Sequence, residues 1–318
     1  MLRGAISIVQ LTRLRYGLLV LIACCWSQSA VSAELVSANT SVCEKKLIGP
    51  IEVGDFKKLE EALTWKMRLC LNSPGGSYLD GLDLFAHIAS SRIGTAIDAS
   101  DECYSACAIA FMGGADGAYG DRFPNRTLHA KGKLGFHSPF VARQEYQPPA
   151  ATDRLAEGVS FGIYLIAKLI RLDQYNLLPK PLIASMLETS PSSIYYVDTF
   201  EKARVNEISL VGVKDPAKIT KQMLYTACLN SDPWADASAI VEKDGVVSAG
   251  NPYRIVFSGF GFQSIEKCAV DVVTKPGGVF EIFVQLRDEL QPVQRADQKP
   301  TWYLYPSSSA FAQHAQNR

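Results

Sequence analysis

Three short motifs near the middle of the chain carry residue types that together can hydrolyse an acyl bond. Ser105 precedes a run of small residues, starting at Ala106, that predicts a tight helix. The first N–H groups of a helix lack intrahelical partners and can bind an anion. His137 lies in a Gly- and Pro-flanked loop, and histidine can take a serine proton near neutral pH. In the Pro74-Gly75-Gly76 turn, glycine permits positive φ and outward N–H groups. A nucleophile, a base and oxyanion donors are therefore all available.

The segments between these motifs predict the elements that must position them. Met67–Leu71 predicts a strand before the glycine turn, and Tyr78–Ser91 predicts an amphipathic helix after it. Thr95–Ala99 predicts a strand that leads to the serine helix. Because strands alternate with helices, the sequence indicates parallel β-α units and an α/β domain.

Two further segments lie between or beyond the candidate catalytic residues. Residues Gly113–Gly132 predict a mobile surface loop that forms a rim over the cleft, because no nucleotide-binding fingerprint fits their spacing. Asp153–Leu172 predicts a long helix. Its apolar stripe is expected to belong to the core and consists of Leu155, Val159, Ile163, Ile166 and Ile170.

The order and spacing of Asn72-Ser73-Pro74-Gly75-Gly76-Ser77, Ser105-Ala106 and His137-Ser138-Pro139 resemble the Clp-protease fold. This superfamily includes caseinolytic serine proteases, signal-peptide peptidases and crotonases, and the resemblance spans roughly residues 45–215. It implies a β-α superhelical domain over residues 34–218 and a peptidase that forms an acyl-enzyme on peptide or unfolded protein. It also implies that Ser105 is the nucleophile and His137 the general base. The oxyanion would bind the N–H of Ala106 and that of Gly75 or Gly76, without a metal or cofactor.

Several alternatives remain open at the level of sequence. Ser105 could act only as a helix cap, and His129 is the rival base, whereas His87 and His314 fit structural roles. The resemblance places the acid of a triad in Leu187–Pro191, where Thr189 and Ser190 stand instead of an aspartate. The third residue is therefore Glu188, Ser190, Asp198 or none. A catalytically silent binding or scaffold protein is the alternative function, and export disfavours a crotonase-like acyl-CoA enzyme.

The first part of the chain has the composition of an export signal. Arg3, Arg13 and Arg15 precede the apolar run Tyr16–Trp26, which is too short to span a membrane. Val31-Ser32-Ala33 fits a cleavage site, so residues 1–33 are predicted as a signal peptide and Glu34 as the mature N-terminus of a periplasmic or secreted protein. A lipoprotein lipidated at Cys24 is the minor alternative, and only that form would bind a membrane.

The composition of the whole chain excludes some classes of partner. The 318 residues carry a formal net charge of +0 and are 47% hydrophobic, which is ordinary for a globular protein. No basic surface for nucleic acid is indicated. The resemblance allows a homo-oligomer, since relatives assemble into rings or other multimers.

The predicted export suggests that the cysteines form disulfides, because disulfides persist in oxidising compartments. Of the 8 cysteines, Cys24 and Cys25 lie in the signal segment, and an even set remains. Cys228 and Cys268 are the preferred pair, because both flank strands of the C-terminal region. For Cys103 and Cys107 a bridge around Ser105 and two small buried thiols are equally compatible with the sequence.

The C-terminal third differs in texture from the rest. Residues 219–318 contain strand-like runs separated by Gly, Asn and Pro, which predict a small β-rich unit. The tail after Gln291 is mostly polar and is expected to be partly disordered.

Overall fold

The structure is a computed structural model that describes residues 32–38, 42–118, 120–140, 151–232, 245–248, 253–260, 266–287 and 297–316. The predicted signal peptide up to residue 31, with Cys24, lies outside the described residues. Residues Ala33–Arg318 form a compact unit with mixed α/β structure, several sheets and, within the described ranges, seven α-helices. None of these helices is both long and apolar enough to cross a membrane.

The elements are numbered here in chain order. The strands are β1 (Glu34–Ser37), β2 (Lys45–Ile48), β3 (Arg68–Asn72), β4 (Gly94–Ile97), β5 (Glu102–Tyr104), β6 (Ala115–Asp116), β7 (Phe123–Pro124), β8 (Arg126–His129), β9 (Lys133–Phe136), β10 (Tyr195–Tyr196), β11 (Ser209–Val211), β12 (Gly245–Ser248), β13 (Tyr253–Phe260), β14 (Glu266–Thr274), β15 (Phe280–Arg287) and β16 (Asp297–Lys299). The helices are α1 (Asp55–Leu59), α2 (Tyr78–Ser90), α3 (Ala106–Met112), α4 (Ala151–Leu172), α5 (Lys180–Glu188), α6 (Phe200–Val205) and α7 (Lys221–Ser231).

A six-stranded sheet forms the centre of the unit, in the order β1-β2-β3-β4-β8-β11. Within this sheet the strands β2, β3, β4, β8 and β11 run parallel, and only the edge strand β1 is antiparallel. Apolar residues meet across the ladder, as in the pairs of Leu47 with Leu71 and of Leu128 with Leu210. Parallel strands connected through helices confirm the α/β class predicted from the sequence.

Ser105 and His137 each follow a strand of a second, smaller sheet. It has the order β10-β9-β5, with β5 parallel to β9. Ser73, just after β3, bridges Cys103 in β5, which connects the two sheets. Consequently the glycine turn, the end of β5 and the end of β9 lie next to one another.

The prediction of a surface loop over Gly113–Gly132 is wrong for its second half. Arg126–His129 is strand β8 of the central sheet, and all four of its residues are buried. The Arg126 guanidinium donates to the carbonyls of Met112 and Leu177 through Nη1 (2.8 and 2.9 Å) and to that of Glu207 through Nε (3.2 Å). Burial lowers its pKa to about 10. The charged Arg126 interrupts the apolar pattern that would have predicted this short strand. Its hydrogen-bond partners come from distant segments, so its burial could not be read from the local sequence.

The apolar stripe predicted on α4 also differs from the structure. Val159, Ile163 and Ile170 are exposed by 54%, 61% and 57%, whereas Leu165 and Leu169 are the buried residues. The helix therefore buries a face rotated from the predicted one. Apolar periodicity shows that a helix is amphipathic, but here a second apolar face competes for the core.

The C-terminal region contains a five-stranded antiparallel sheet in the order β12-β13-β14-β15-β16. Helix α7, which the sequence did not indicate, packs against this sheet, and Cys228–Cys268 joins α7 to β14. The predicted Cys228–Cys268 pair is thus confirmed. A further disulfide, Cys43–Cys70, fastens β3 to the residues before β2.

Residues 297–316 of the tail, which was expected to be partly disordered, have a defined structure, and its other residues lie outside the described part of the chain. Two 3₁₀ turns, Thr301–Leu304 and Phe311–His314, place apolar side chains against α6. The Phe200 ring stacks on Trp302 and Tyr305, with centroids 5.8 and 5.5 Å apart, and lies edge-on to Phe311. A few aromatic residues are sufficient to anchor an otherwise polar segment.

Candidate active site

Ser105 occupies a sharp turn between β5 and α3. Its backbone has φ 56° and ψ −122°, a conformation that non-glycine residues rarely adopt. Its N–H donates to the carbonyl of Gly135 (3.1 Å), while its side chain makes no capping hydrogen bond. The geometry therefore does not support a helix-capping role for the Ser105 side chain. A serine on a strained strand-to-helix turn is the arrangement of a nucleophile elbow.

A disulfide closes around this elbow. Cys103 and Cys107 are bonded, with Cα atoms 5.3 Å apart, and both side chains are fully buried. Cys103 lies in β5, and Cys107 lies in the first turn of α3. The bridge therefore restricts both arms of the segment that contains Ser105.

The glycine turn lies directly against the elbow. Ser73 N–H donates to the Glu102 carbonyl (2.8 Å), and Tyr104 N–H donates to the Ser73 carbonyl (3.1 Å). Gly75 has φ 91°, and a Cβ at this position would lie 2.4 Å from the Tyr104 carbonyl oxygen and 2.8 Å from Ser105 Cβ. Only glycine satisfies both the dihedral angle and the close approach.

The N–H groups around Ser105 are not equally available as oxyanion donors. Ala106 is the first residue of α3, so its N–H has no intrahelical acceptor. The Gly75 N–H donates to Ser73 Oγ (3.1 Å) and is already engaged. The Gly76 N–H donates to no group in the described part of the chain, and Gly76 lines the cavity at Ser105. The available pair is therefore Ala106 and Gly76.

His137 follows β9 at the start of a loop, with a defined arrangement of its ring nitrogens. Nδ1 lies 2.8 Å from the carbonyl oxygen of Ser138. A carbonyl only accepts, so the hydrogen of the neutral ring is on Nδ1 and Nε2 can accept a proton. The Ser138 N–H donates to the Thr189 carbonyl (2.9 Å), which ties this loop to the end of α5.

A cavity of about 540 Å³ lies at Ser105 and His137, and its volume is typical of a ligand site. Ser105, His137, Gly75 and Gly76 line it. Its other walls are mainly apolar and include Pro50, Ile51, Val53, Leu79, Pro139, Phe140, Phe161 and Leu165. No hydrogen bond joins the Ser105 hydroxyl to the His137 ring, which is common before substrate binds.

None of the three candidates for a third triad member forms a hydrogen bond or ion pair with His137 in the described part of the chain. Asp198 pairs with Lys202 (2.7 Å) and its side chain is 56% exposed. Ser190 Oγ bonds to the hydroxyls of Ser192 and Ser193, and Glu188 is exposed at the end of α5. The carbonyl of Ser138 is the group that orients the ring.

The other histidines do not line the cavity. His129 is buried in β8, where its Nδ1 accepts from the Lys131 N–H (3.1 Å) and its ring contacts Gly212. His87 Nε2 lies 3.0 Å from the Leu63 carbonyl. His314 packs among aromatic side chains, and burial lowers its pKa.

Ionisable groups beside the elbow are held neutral or paired. Burial, and then the hydrogen bond to Glu102, raise the pKa of the Tyr104 phenol. Glu102 pairs with Lys133 (2.5 Å), which lowers the pKa of the carboxyl. Burial also raises the pKa of Tyr78, another residue of the cavity. The two tyrosines are therefore neutral, whereas Glu52 places a carboxyl group in the cavity wall.

Asp80 is a site residue that the sequence analysis missed. Its carboxylate accepts from the N–H groups of Gly54 and Phe56 (3.0 Å each) and from the Ser77 hydroxyl (2.6 Å). It thereby fixes the segment 51–56, part of the cavity wall, to the start of α2. The spacing of Ser77 and Asp80 is that of a helix-capping pair, which is the signal that could have identified it.

Comparison with known proteins found no match: no protein-family model fits the chain, and no curated protein matches it. Among the described residues, no group of three or more His, Cys, Asp or Glu side chains could hold a metal ion.

Proposed function

We propose that this protein is an exported serine hydrolase, a peptidase-like enzyme of the Clp-protease type, which cleaves peptide or unfolded protein through an acyl-enzyme. The observation that carries the proposal is the strained backbone of Ser105, in one cavity with His137 and the glycine turn. Strain of this kind costs on the order of 1–3 kcal/mol and persists where function requires it. The parallel β-α core and the resemblance of the three motifs support the Clp-protease arrangement.

The proposed reaction assigns one role to each group. The Ser105 hydroxyl attacks the substrate carbonyl while His137 Nε2 takes its proton. The N–H groups of Ala106 and Gly76 stabilise the oxyanion. His137 then returns the proton to the leaving amine, and water releases the acyl group from Ser105 by the same steps.

The orientation of His137 by a backbone carbonyl predicts a modest rate. Replacing the aspartate of a triad with a neutral group lowers turnover by roughly ten-thousandfold. A dyad with a carbonyl partner keeps the tautomer but lacks a negative charge to stabilise the imidazolium. We therefore expect a slow hydrolase.

The apolar walls support a substrate class. Phe140, Phe161, Val53 and Leu79 offer an apolar surface next to Ser105, which suits an apolar side chain beside the scissile bond. Three disulfides fit an exported protein.

A fluorophosphonate probe tests the proposal, because it reacts only with activated serines. We expect the oxidised protein to be labelled, Ser105→Ala to abolish labelling, and His137→Ala to slow it strongly. Ser90→Ala, at an exposed serine that ends α2, is the matched control and should leave labelling unchanged. Absence of labelling in the folded protein, or equal labelling of Ser105→Ala, would refute the proposal.

The second candidate is a catalytically silent binding protein of the same fold. The observation that favours it is the absence of a carboxylate at His137 among the described residues, together with the lack of a Ser105–His137 hydrogen bond. This candidate predicts that peptides bind in the cavity without being cleaved. Mass spectrometry of a peptide library incubated with the protein distinguishes the two.

A further inference from the structure

A buried carboxylate lies at the start of the compact unit. Asp55 is fully buried, and its Oδ2 accepts from the backbone N–H of Ala33 (3.1 Å) and from that of Glu52 (2.8 Å). Its Oδ1 accepts from Lys58 Nζ (2.8 Å), but the Lys58 side chain is 64% exposed. The Ala33 nitrogen therefore lies at ion-pair distance from a fully buried carboxylate.

Ala33 belongs to the folded body of the protein. Its side chain is 7% exposed and is part of the hydrophobic core, and the compact unit begins at this residue. Cleavage between Ala33 and Glu34, as the sequence predicted, would remove both the buried methyl group and the N–H that contacts Asp55. Ala33 thus belongs to the core that the structure describes.

The bond one residue earlier satisfies the same rule for small residues. Ala30-Val31-Ser32 places a small residue at each of the two positions that export peptidases read. Cleavage after Ser32 would keep Ala33 in the core. It would also convert the Ala33 amide into an ammonium group.

We propose that an export peptidase hydrolyses the Ser32–Ala33 bond and that the new Ala33 ammonium forms a buried ion pair with Asp55. Water adds across the peptide bond, the carboxylate leaves with Ser32, and the amine of Ala33 takes up a proton. In the unprocessed chain the Ala33 nitrogen is an uncharged amide, and after cleavage it is the ammonium that pairs with Asp55.

The ion pair also reaches the candidate active site. The Asp55 oxygen that contacts Ala33 holds the Glu52 N–H, and Glu52 lines the cavity. The preceding Ile51 exchanges two hydrogen bonds with the glycine turn, to the Gly75 carbonyl (2.8 Å) and from the Ser77 N–H (2.6 Å). Processing would therefore stabilise one wall of the cavity.

Intact-mass analysis of the protein exported from cells expressing the full chain tests the cleavage site. The expected product begins at Ala33. A product lighter by one alanine, which begins at Glu34, would overturn the proposal, as would one that begins at Cys24 or Met1.

The ion pair is tested with mature protein released from a cleavable fusion, so that the chain begins either at Ala33 or at Ser32. Retaining Ser32 preserves the positive charge but moves it by about 3.5 Å of chain. We expect the Ser32 form to melt at least ~3 °C lower and residues 51–56 to exchange amide hydrogens faster. Equal melting temperatures and exchange would overturn the ion pair.

Two substitutions identify the partner. Asp55→Asn should abolish the difference between the two forms, whereas Lys58→Met, which removes the exposed partner, should preserve it. A difference that survives in Asp55→Asn would refute the pairing. If Asp55→Asn does not fold, the comparison of the two forms still decides, because neither alters Asp55. These readouts do not require hydrolase activity, so they remain valid if the proposed function fails.

Discussion

Removing the Cys103–Cys107 disulfide should impair the reactivity of Ser105 more than it impairs stability. The perturbation is the double substitution of both cysteines by alanine. Its matched control is the same double substitution at Cys228 and Cys268, which are equally buried.

The magnitudes follow from the sequence separations of the two bridges, 4 and 40 residues. Loop-closure entropy assigns about 2 kcal/mol of stability to the short loop and about 4 kcal/mol to the long one. The short bridge also holds the strained turn at Ser105, and such strain is worth about 1–3 kcal/mol. If the turn relaxes by that amount, the population of the reactive conformer falls roughly five- to 150-fold.

The assay compares two quantities for each variant. Urea unfolding gives the free energy of unfolding, and the rate of fluorophosphonate labelling gives the reactivity of Ser105. We expect the Cys103/Cys107 variant to lose less stability but to label much more slowly. The Cys228/Cys268 variant should lose more stability and label at the wild-type rate. Labelling at the wild-type rate in a folded Cys103/Cys107 variant would refute the role of the bridge in positioning Ser105.

Three other predictions concern single residues. Gly75→Ala should abolish labelling and lower the melting temperature, because its Cβ would collide with the Tyr104 carbonyl; Gly54→Ala, with a similar φ of 87° but open space, should cost only about 1 kcal/mol. Arg126→Met should lower the free energy of unfolding in urea by about 3 kcal/mol or more, because buried carbonyls lose their donors. Asp198→Asn should leave the labelling rate within about twofold of wild type, since its carboxylate pairs with a lysine; a loss similar to that of a triad aspartate would show that the acid moves to His137.

Local patterns in the sequence were sufficient for most elements of the α/β core. Predicted helices at Tyr78–Ser91 and Asp153–Leu172 agree with the structure within two residues at each end, since apolar periodicity and capping residues act within a few turns. The strand-like runs within residues 219–318 correctly indicated the strands β13, β14 and β15. Short strands with charged residues, such as β8, were missed because their burial depends on partners elsewhere.

The amino-acid sequence by itself determined which chemical groups are present, because the motifs of Ser105, His137 and the glycine turn are local. Only the tertiary structure decided which of these groups are bonded to other parts of the chain. The Gly75 N–H is engaged and the Gly76 N–H is available because Ser73 folds back within the turn. Asp198 forms an ion pair with Lys202 rather than a hydrogen bond with His137, and Cys103 pairs with Cys107 across the elbow. Each of these outcomes depends on which groups the folded chain brings within hydrogen-bond or disulfide distance, and residue spacing alone does not specify that.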